Sequence, residues 1–223
     1  MTQPTLHPAT PRRVHLIRHG ETNWNRERRA QGQQESVLTE QGVAQAQALA
    51  ATIASLPIEE VFSSSSVRTR QTAEILFAGR QIPVTYCDLL REIHMGEWEG
   101  RLYDDIKTTS PEQFRAFWHE PHVFSVTGAE TFEQLQQRAL NRFTSLLAQS
   151  TGHEIAIVSH GAWIKTLLCH FEPRPLAQLW QPPAMHNCAH SIIDIEADGS
   201  GRISLYAGQP YPDTLAAGDG APG

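Results

Sequence analysis

Val14-His15-Leu16-Ile17-Arg18-His19-Gly20-Glu21-Thr22 is the stretch that decides how the rest of the chain is read. A short apolar run rich in branched residues and closed by glycine suits a buried strand that turns at its C-terminal end, and ligands of open α/β sheets collect at those ends. The Arg18-His19 pair is therefore expected at a strand tip, with a helix starting just after Gly20. Ile155-Ala156-Ile157-Val158-Ser159-His160-Gly161 repeats the arrangement, an apolar strand followed by His-Gly, before a helical segment over 162–170. Two histidines on two strand tips can converge on one ligand.

Strands alternate with helices around these two runs. Thr39 can cap a helix reaching about Leu56, with Val43, Ala46, Leu49, Ala50 and Ile53 at helical spacing and Pro57 as its stop. Val61-Phe62 opens a short strand, and the four serines 63–66 read as a tight βα turn into a helix over 67–78, with Arg68 in its first turn. Residues 83–87 form a third strand, and 90–100 read as a loop without a packing role, because Gly96, Trp98 and Gly100 sit among charges without periodicity. Ser110-Pro111-Glu112-Gln113 has the form of a capping box opening a helix through Trp118. Thr131 and Gln134 have the same form at the start of the amphipathic helix 131–147, whose apolar face is Phe132, Leu135, Ala139, Phe143, Leu146 and Leu147. Strands near 189–195 and 202–207 close the pattern. It predicts one three-layer α/β/α domain with a mostly parallel central sheet over 13–207, a loose lead-in over 1–12 and a flexible tail over 208–223.

Composition sets the class of partner. The 223 residues carry a formal net charge of −6, which argues against a general nucleic-acid binder and makes any arginine cluster a local positive site suited to a small anion. Cys87, Cys169 and Cys188 are few, scattered and odd in number, which fits a reducing compartment. No leader-like or membrane-spanning apolar stretch is present, so a cytoplasmic protein without membrane partners is expected. Oligomeric state stays open.

Arg18 and His19 at one tip, His160 at another, Arg68 after a third strand and Glu92 in a glycine-rich loop form the candidate site. Two guanidinium forks and an imidazole suit a phosphoryl group, whose oxygens accept bidentate, charge-assisted hydrogen bonds. Helix N-termini after Gly20 and Gly161 add N–H donors. Nearby cations keep an imidazole neutral and able to attack phosphorus, and a carboxylic acid such as Glu92 can protonate the departing alkoxide. No metal or other cofactor is required if arginines supply the charge. Plainer readings stand beside this one: a histidine at a strand end is commonly structural, and an isolated arginine is commonly a solvated surface residue. His186, Cys188 and His190 could share a strand face but lack structural-zinc spacing. Trp98, Trp118, Trp163 and Trp180 read as core and rim packing, and Glu97 and Glu99 as surface carboxylates.

The sequence resembles the histidine phosphatase superfamily, the group that includes cofactor-dependent phosphoglycerate mutases. Arg18-His19-Gly20-Glu21-Thr22 with Asn25 looks like its signature. The likeness continues through Leu38-Thr39-Glu40-Gln41-Gly42, Arg68-Thr69-Arg70-Gln71-Thr72, Leu90-Arg91-Glu92, Gly96-Glu97-Trp98-Glu99-Gly100, Gly128-Ala129-Glu130-Thr131 and Ser159-His160-Gly161. Ser66 and Ala129 depart from the usual apolar residue and glycine. The resemblance implies that His19 becomes phosphohistidine, that Arg18, Arg68 and His160 hold the phosphoryl group, that Asn25 and the Gly161 amide assist, and that Glu92 donates the proton. Thr22 and Arg91, inside the matching motifs, are expected to contact substrate.

Three activities remain open: hydrolysis of a small phosphomonoester, mutase-type phosphoryl transfer, and phosphate binding without chemistry. The loop 96–100 resembles the phosphatase branch, which includes α-ribazole and broad-specificity phosphatases. The segment 102–127 is short and carries Lys107 and Arg115 in isolation, unlike the basic insertion of the mutases. Hydrolysis is therefore favoured. Trp24, Arg91, His94, Met95, Arg101 and 114–126 flank the motifs and are expected to line an outer pocket, whose residue types leave the substrate undecided.

Overall fold

A computed structural model describes residues 10–211. Its strands are β1 (Arg12–Arg18), β2 (Glu60–Ser64), β3 (Val84–Cys87), β4 (Glu154–Ser159), β5 (His190–Ile195), β6 (Gly201–Tyr206) and β7 (Gln209–Pro210). They form one sheet in the order β3-β2-β4-β1-β5-β6-β7. The first four run parallel, and β5, β6 and β7 extend the sheet antiparallel.

Helices cover both faces, which is why the central strands read as continuous apolar runs. Ile17, Val61, Ala156 and Val158 face one side and pack against α2 (Glu40–Ile53) and α3 (Val67–Leu76). Val14, Leu16, Phe62, Ile155 and Ile157 face the other, under α6 (Phe132–Gln149) and α7 (Gly161–Phe171). The chain leaving β1 enters α2 on one face, whereas the chain leaving β4 enters α7 on the opposite face. The neighbouring tips of these two parallel strands therefore frame a crevice, the place where open α/β sheets bind ligands.

Several local expectations change. The helix after Gly20 is only the four-residue α1 (Asn23–Arg26), capped reciprocally by Thr22 and Asn25; the long helix waits for its Thr39 cap. Thr131 and Gln134 form the expected capping box of α6. Ser110 does not cap α5 (Pro111–His119): its φ of −140° and ψ of 56° turn the side chain away, and Gln113 Oε1 instead accepts from the Ser125 amide at 2.8 Å. An additional helix, α4 (Tyr103–Thr109), precedes it. The loop 90–100 is part of the core, because Leu90, Ile93, Met95 and Trp98 are all buried. At the ends, β1 already begins at Arg12, and β7 with Tyr211, whose hydroxyl bonds to Glu172, lies within the stretch read as tail. Residues 1–9 of the lead-in and 212–223 of the tail lie outside the described residues. None of the described helices is long and apolar enough to cross a membrane.

The alternating His186, Cys188 and His190 do not share a strand face. Cys188 sits in a left-handed turn (φ 54°), and His190 is turned toward β1. There Nε2 of His190 lies 2.9 Å from Nδ1 of His15, whose Nε2 lies 2.6 Å from Glu154. Burial lowers the pKa of both imidazoles, that of His190 to about 4. Below the ordinary imidazole value of 6.5 the unfolded chain binds protons that the folded chain refuses, so stability is complete above that value and falls as the solution is acidified. His190 alone is expected to remove about 1 kcal/mol by pH 5.5. Denaturant midpoints measured between pH 7.5 and 5 should decline, and His190→Asn should flatten the slope; a midpoint that holds or rises on acidification contradicts this account.

Candidate active site

In the β1–β4 ladder Arg18 stands opposite Ser159, so the residues that follow, His19 and His160, leave adjacent strand tips. The His19 amide donates to Ser159 O at 3.1 Å, which carries the register one residue past β1. The rings of His19 and His160 meet edge to face, with centroids 5.3 Å apart.

Close backbone packing fixes the turn after His19. A Cβ on Gly20 would lie 2.6 Å from Gly42 O, and one on Gly42 would lie 2.0 Å from Glu21 O. Two glycines facing each other thus let the β1 loop rest on the first turn of α2. The Gly20 amide is then held by Thr72 Oγ1 at 3.1 Å, and Thr72 Oγ1 bonds in turn to the carbonyl of Arg68.

His19 is buried and oriented. Its Nδ1 lies 2.8 Å from the Gly20 carbonyl, an acceptor, so that nitrogen carries the proton and Nε2 keeps the lone pair. Burial, reinforced by the positive charges of Arg68 and Arg18, presses its pKa well below the usual imidazole value. His160 is fully buried and shifted the same way, first by burial and then by Arg68. Its Nε2 lies 2.8 Å from Ser64 Oγ at the end of β2.

The two arginines are fixed by backbone carbonyls. Arg68 donates through Nη1 to Gln34 O and through Nη2 to Gly32 O, both at 2.8 Å, and burial lowers its pKa to about 10, so it remains a cation at neutral pH. Arg18 donates through Nη1 to Met185 O. Nε of Arg18, Nε of Arg68 and Nδ1 of His160 are buried nitrogens without a protein partner, and they belong to this one region. An anion bound among them would give these nitrogens an acceptor that the protein itself does not provide.

Glu92 reaches the site from the loop after β3. Its Oε2 accepts from the Ala162 amide, and its Oε1 from the amides of Trp163 and Ile93, all at 3.0 Å. The carboxyl group thereby caps the first turn of α7, accepting N–H groups that have no partner within the helix. Asn25 turns its Oδ1 to Thr22 and to Asn187 Nδ2 (3.2 Å), which directs the amide nitrogen elsewhere.

A cavity of about 580 Å³ opens over this group, lined at its inner end by Arg18, His19, Asn25, Arg68, Glu92 and Gly161. Thr22, Arg91 and His160 do not line it. Thr22 is spent on capping α1, and Arg91 bonds to Gln33 O and Glu35 at 2.7 Å, bracing the loop that holds Arg68. Of the expected outer wall, Trp24, Met95, Phe114, Phe117 and Trp118 are present, whereas His94 and Arg101 are not. Trp98 and Trp163 are core residues, but Trp118 and Trp180 face the cavity. Glu97 is exposed, and Glu99 accepts the Gln33 and Met95 amides at 2.8 and 3.0 Å.

Sequence reasoning missed Ser64, Thr72, Asn187, Tyr103 and Lys165. Lys165 had a readable signal: it lies four residues after Gly161 on α7, and i, i+4 spacing keeps it on the same helix face. It is buried at the cavity wall, where Nζ donates to Gln181 O at 2.7 Å and Pro183 O at 3.1 Å, and burial lowers its pKa to about 8.

The profile of the histidine phosphatase superfamily (branch 1) matches residues 14–207. The chain belongs to that superfamily. Among curated relatives, a Salmonella choleraesuis protein named "Probable phosphoglycerate mutase GpmB" is 33% identical over 183 residues, covering 82% of this chain and 85% of its own. Among solved structures, Bacillus stearothermophilus YhfR superposes with a TM-score of 0.85 at 39% identity, covering 89% of this chain and 98% of its own. The α-ribazole phosphatase from Shigella flexneri reaches a TM-score of 0.78 at 27% identity, covering 91% and 100%.

Two outcomes follow from this geometry. In the free protein, the His19 imidazole followed by NMR should titrate below 6.5, and a midpoint at or above that value contradicts the electrostatic account. Gly42→Ala should lower stability by about 1–3 kcal/mol, the usual cost of overpacking, and an unchanged denaturant midpoint would show that the two loops are not in the close contact described.

Proposed function

We propose that this protein is a metal-independent phosphomonoester hydrolase that works through a phosphohistidine at His19. The observation that carries the reading is the pairing of a neutral, oriented imidazole with the buried, unpartnered Nε atoms of two arginines that line one cavity. His19 Nε2 attacks phosphorus in line with the ester oxygen, the P–O bond to the alcohol breaks, and the phosphoryl group passes to the imidazole. Arg18, Arg68 and His160 stabilise the charge on the transferring oxygens, with the Asn25 amide and the Gly161 N–H as further donors. Glu92 is the only carboxyl group among the described cavity-lining residues, so the proton for the departing alkoxide is assigned to it. Water then attacks the phosphohistidine and gives a proton to Glu92, the P–N bond breaks, inorganic phosphate leaves, and both the imidazole and the carboxylic acid are restored.

The Shigella flexneri neighbour is an α-ribazole phosphatase, which favours water as acceptor, and the mutase name of the Salmonella relative favours a second hydroxyl. The first half-reaction is common to both. Assays with chelator-treated protein, following free phosphate and isomerised product together, separate them: phosphate release without a metal is expected, and isomerisation dependent on a bisphosphate primer would move the assignment to mutase. His19→Ala should abolish phosphate release while the circular dichroism spectrum is retained. Arg68→Ala should lower kcat roughly 100- to 1000-fold, the range for losing one preorganised donor. Near-normal turnover by His19→Ala refutes the mechanism.

A further inference from the structure

We infer that Arg138 is a positioning residue for proton transfer at Glu92, its guanidinium clamping the backbone from which that carboxyl group reaches the cavity. The inference rests on the phosphatase reading, in which Glu92 gives its proton to the departing ester oxygen as the P–O bond breaks. Arg138 stands on α6 and is not among the residues lining the cavity, so it acts only through the chain it holds.

Four successive carbonyls, 89–92, each accept from a side chain. Leu90 O accepts from Ser159 Oγ at 2.7 Å, and Leu89 O from Trp163 Nε1 at 3.1 Å. Arg138 reaches three of the four. Its Nη1 donates to Leu89 O at 2.9 Å and Arg91 O at 2.8 Å, and its Nη2 to Glu92 O at 3.1 Å. The other two N–H groups go to Glu130: Nε to Oε1 at 2.8 Å and Nη2 to Oε2 at 2.7 Å. All five donors of the guanidinium are thereby used. Glu130 is tied to the same loop, since its amide donates to His94 O at 2.8 Å and its Oε2 accepts from the His94 amide at 3.3 Å. Both partners are largely buried, with side chains 17% and 15% exposed. A lysine ammonium, with three donors about one point, cannot span this set. Losing the fork leaves Glu130 and these carbonyls short of partners, and the loop must shift to find others. Such a shift carries Glu92 off the Ala162 and Trp163 amides, and a misplacement of about 1 Å at a reacting group costs on the order of 100-fold in rate.

The test compares kcat/KM for benzyl phosphate, whose alkoxide must be protonated as it leaves, and 4-nitrophenyl phosphate, whose phenolate leaves unaided. Arg138→Met should lower the first at least tenfold more than the second, as Glu92→Gln does. Added to Glu92→Gln, it should change the ratio less than twofold. If Arg138→Met does not fold, Arg138→Lys should show the same bias at least threefold. An equal loss on both esters, or no loss, overturns the assignment. Amide hydrogen exchange of the same folded variant supplies a readout without turnover: Ala162 and Trp163 should exchange at least tenfold faster while Leu16 of β1 is unchanged. If the unaltered chain does not hydrolyse both esters, this pattern decides, selective loss of protection upholding the clamp and unchanged or uniform exchange removing it. If it hydrolyses neither, the phosphatase reading fails separately.

Discussion

The parallel ladder between β1 and β4 is the constraint on which the site depends. Because Arg18 faces Ser159, both strands end at the same level, and the residue after each is a histidine. The chain then parts to opposite faces of the sheet, which leaves the tips uncovered by either helix layer. A one-residue slip would turn every side chain of β1 to the wrong face, sending Val14 and Leu16 away from the α6–α7 core. The apolar packing that stabilises the fold and the alignment of the two histidines are therefore set by the same register.

Around those tips the structure uses backbone groups to hold charged side chains in a buried place. Arg68 is fixed by two carbonyls of the loop 32–34, Glu92 by three amides, and His19 by the carbonyl of its own neighbour. Such contacts leave the side chains preorganised, and burial keeps the imidazole neutral while the guanidinium of Arg68 remains charged. A site with these properties gains little by rearranging when an anion arrives, which is the condition under which fixed donors contribute most to a transition state.

Much of this could be read from the sequence, because strand tips and caps are local signals. The apolar runs ending in Arg18-His19-Gly20 and His160-Gly161, the Thr39 and Thr131 caps and the tight serine turn all depend on residues within a few positions of one another. What escaped the sequence is non-local. Ser110 has the form of a capping residue, yet Gln113 is drawn to the amide of Ser125. Arg91 sits beside Glu92 in the chain but bonds to the loop around Gln33. The aromatic wall is contributed by α1, α4, α5 and the loop after α7, and only packing shows that Trp118 and Trp180 belong together. The helical spacing from Gly161 places Lys165 on the cavity side of α7, but only packing shows that the loop 181–183 takes up its ammonium group.

The central claim is that Nε2 of His19 takes the phosphoryl group. Mixing the protein with a 32P-labelled phosphomonoester, quenching within the first turnover and mapping the label by mass spectrometry and phosphohistidine-isomer analysis tests it most directly. The account predicts an acid-labile, base-stable phosphate on His19, on Nε2, because Nδ1 is occupied by the Gly20 carbonyl. Turnover with no labelled protein, or a label on His160 or on a carboxylate, would contradict it.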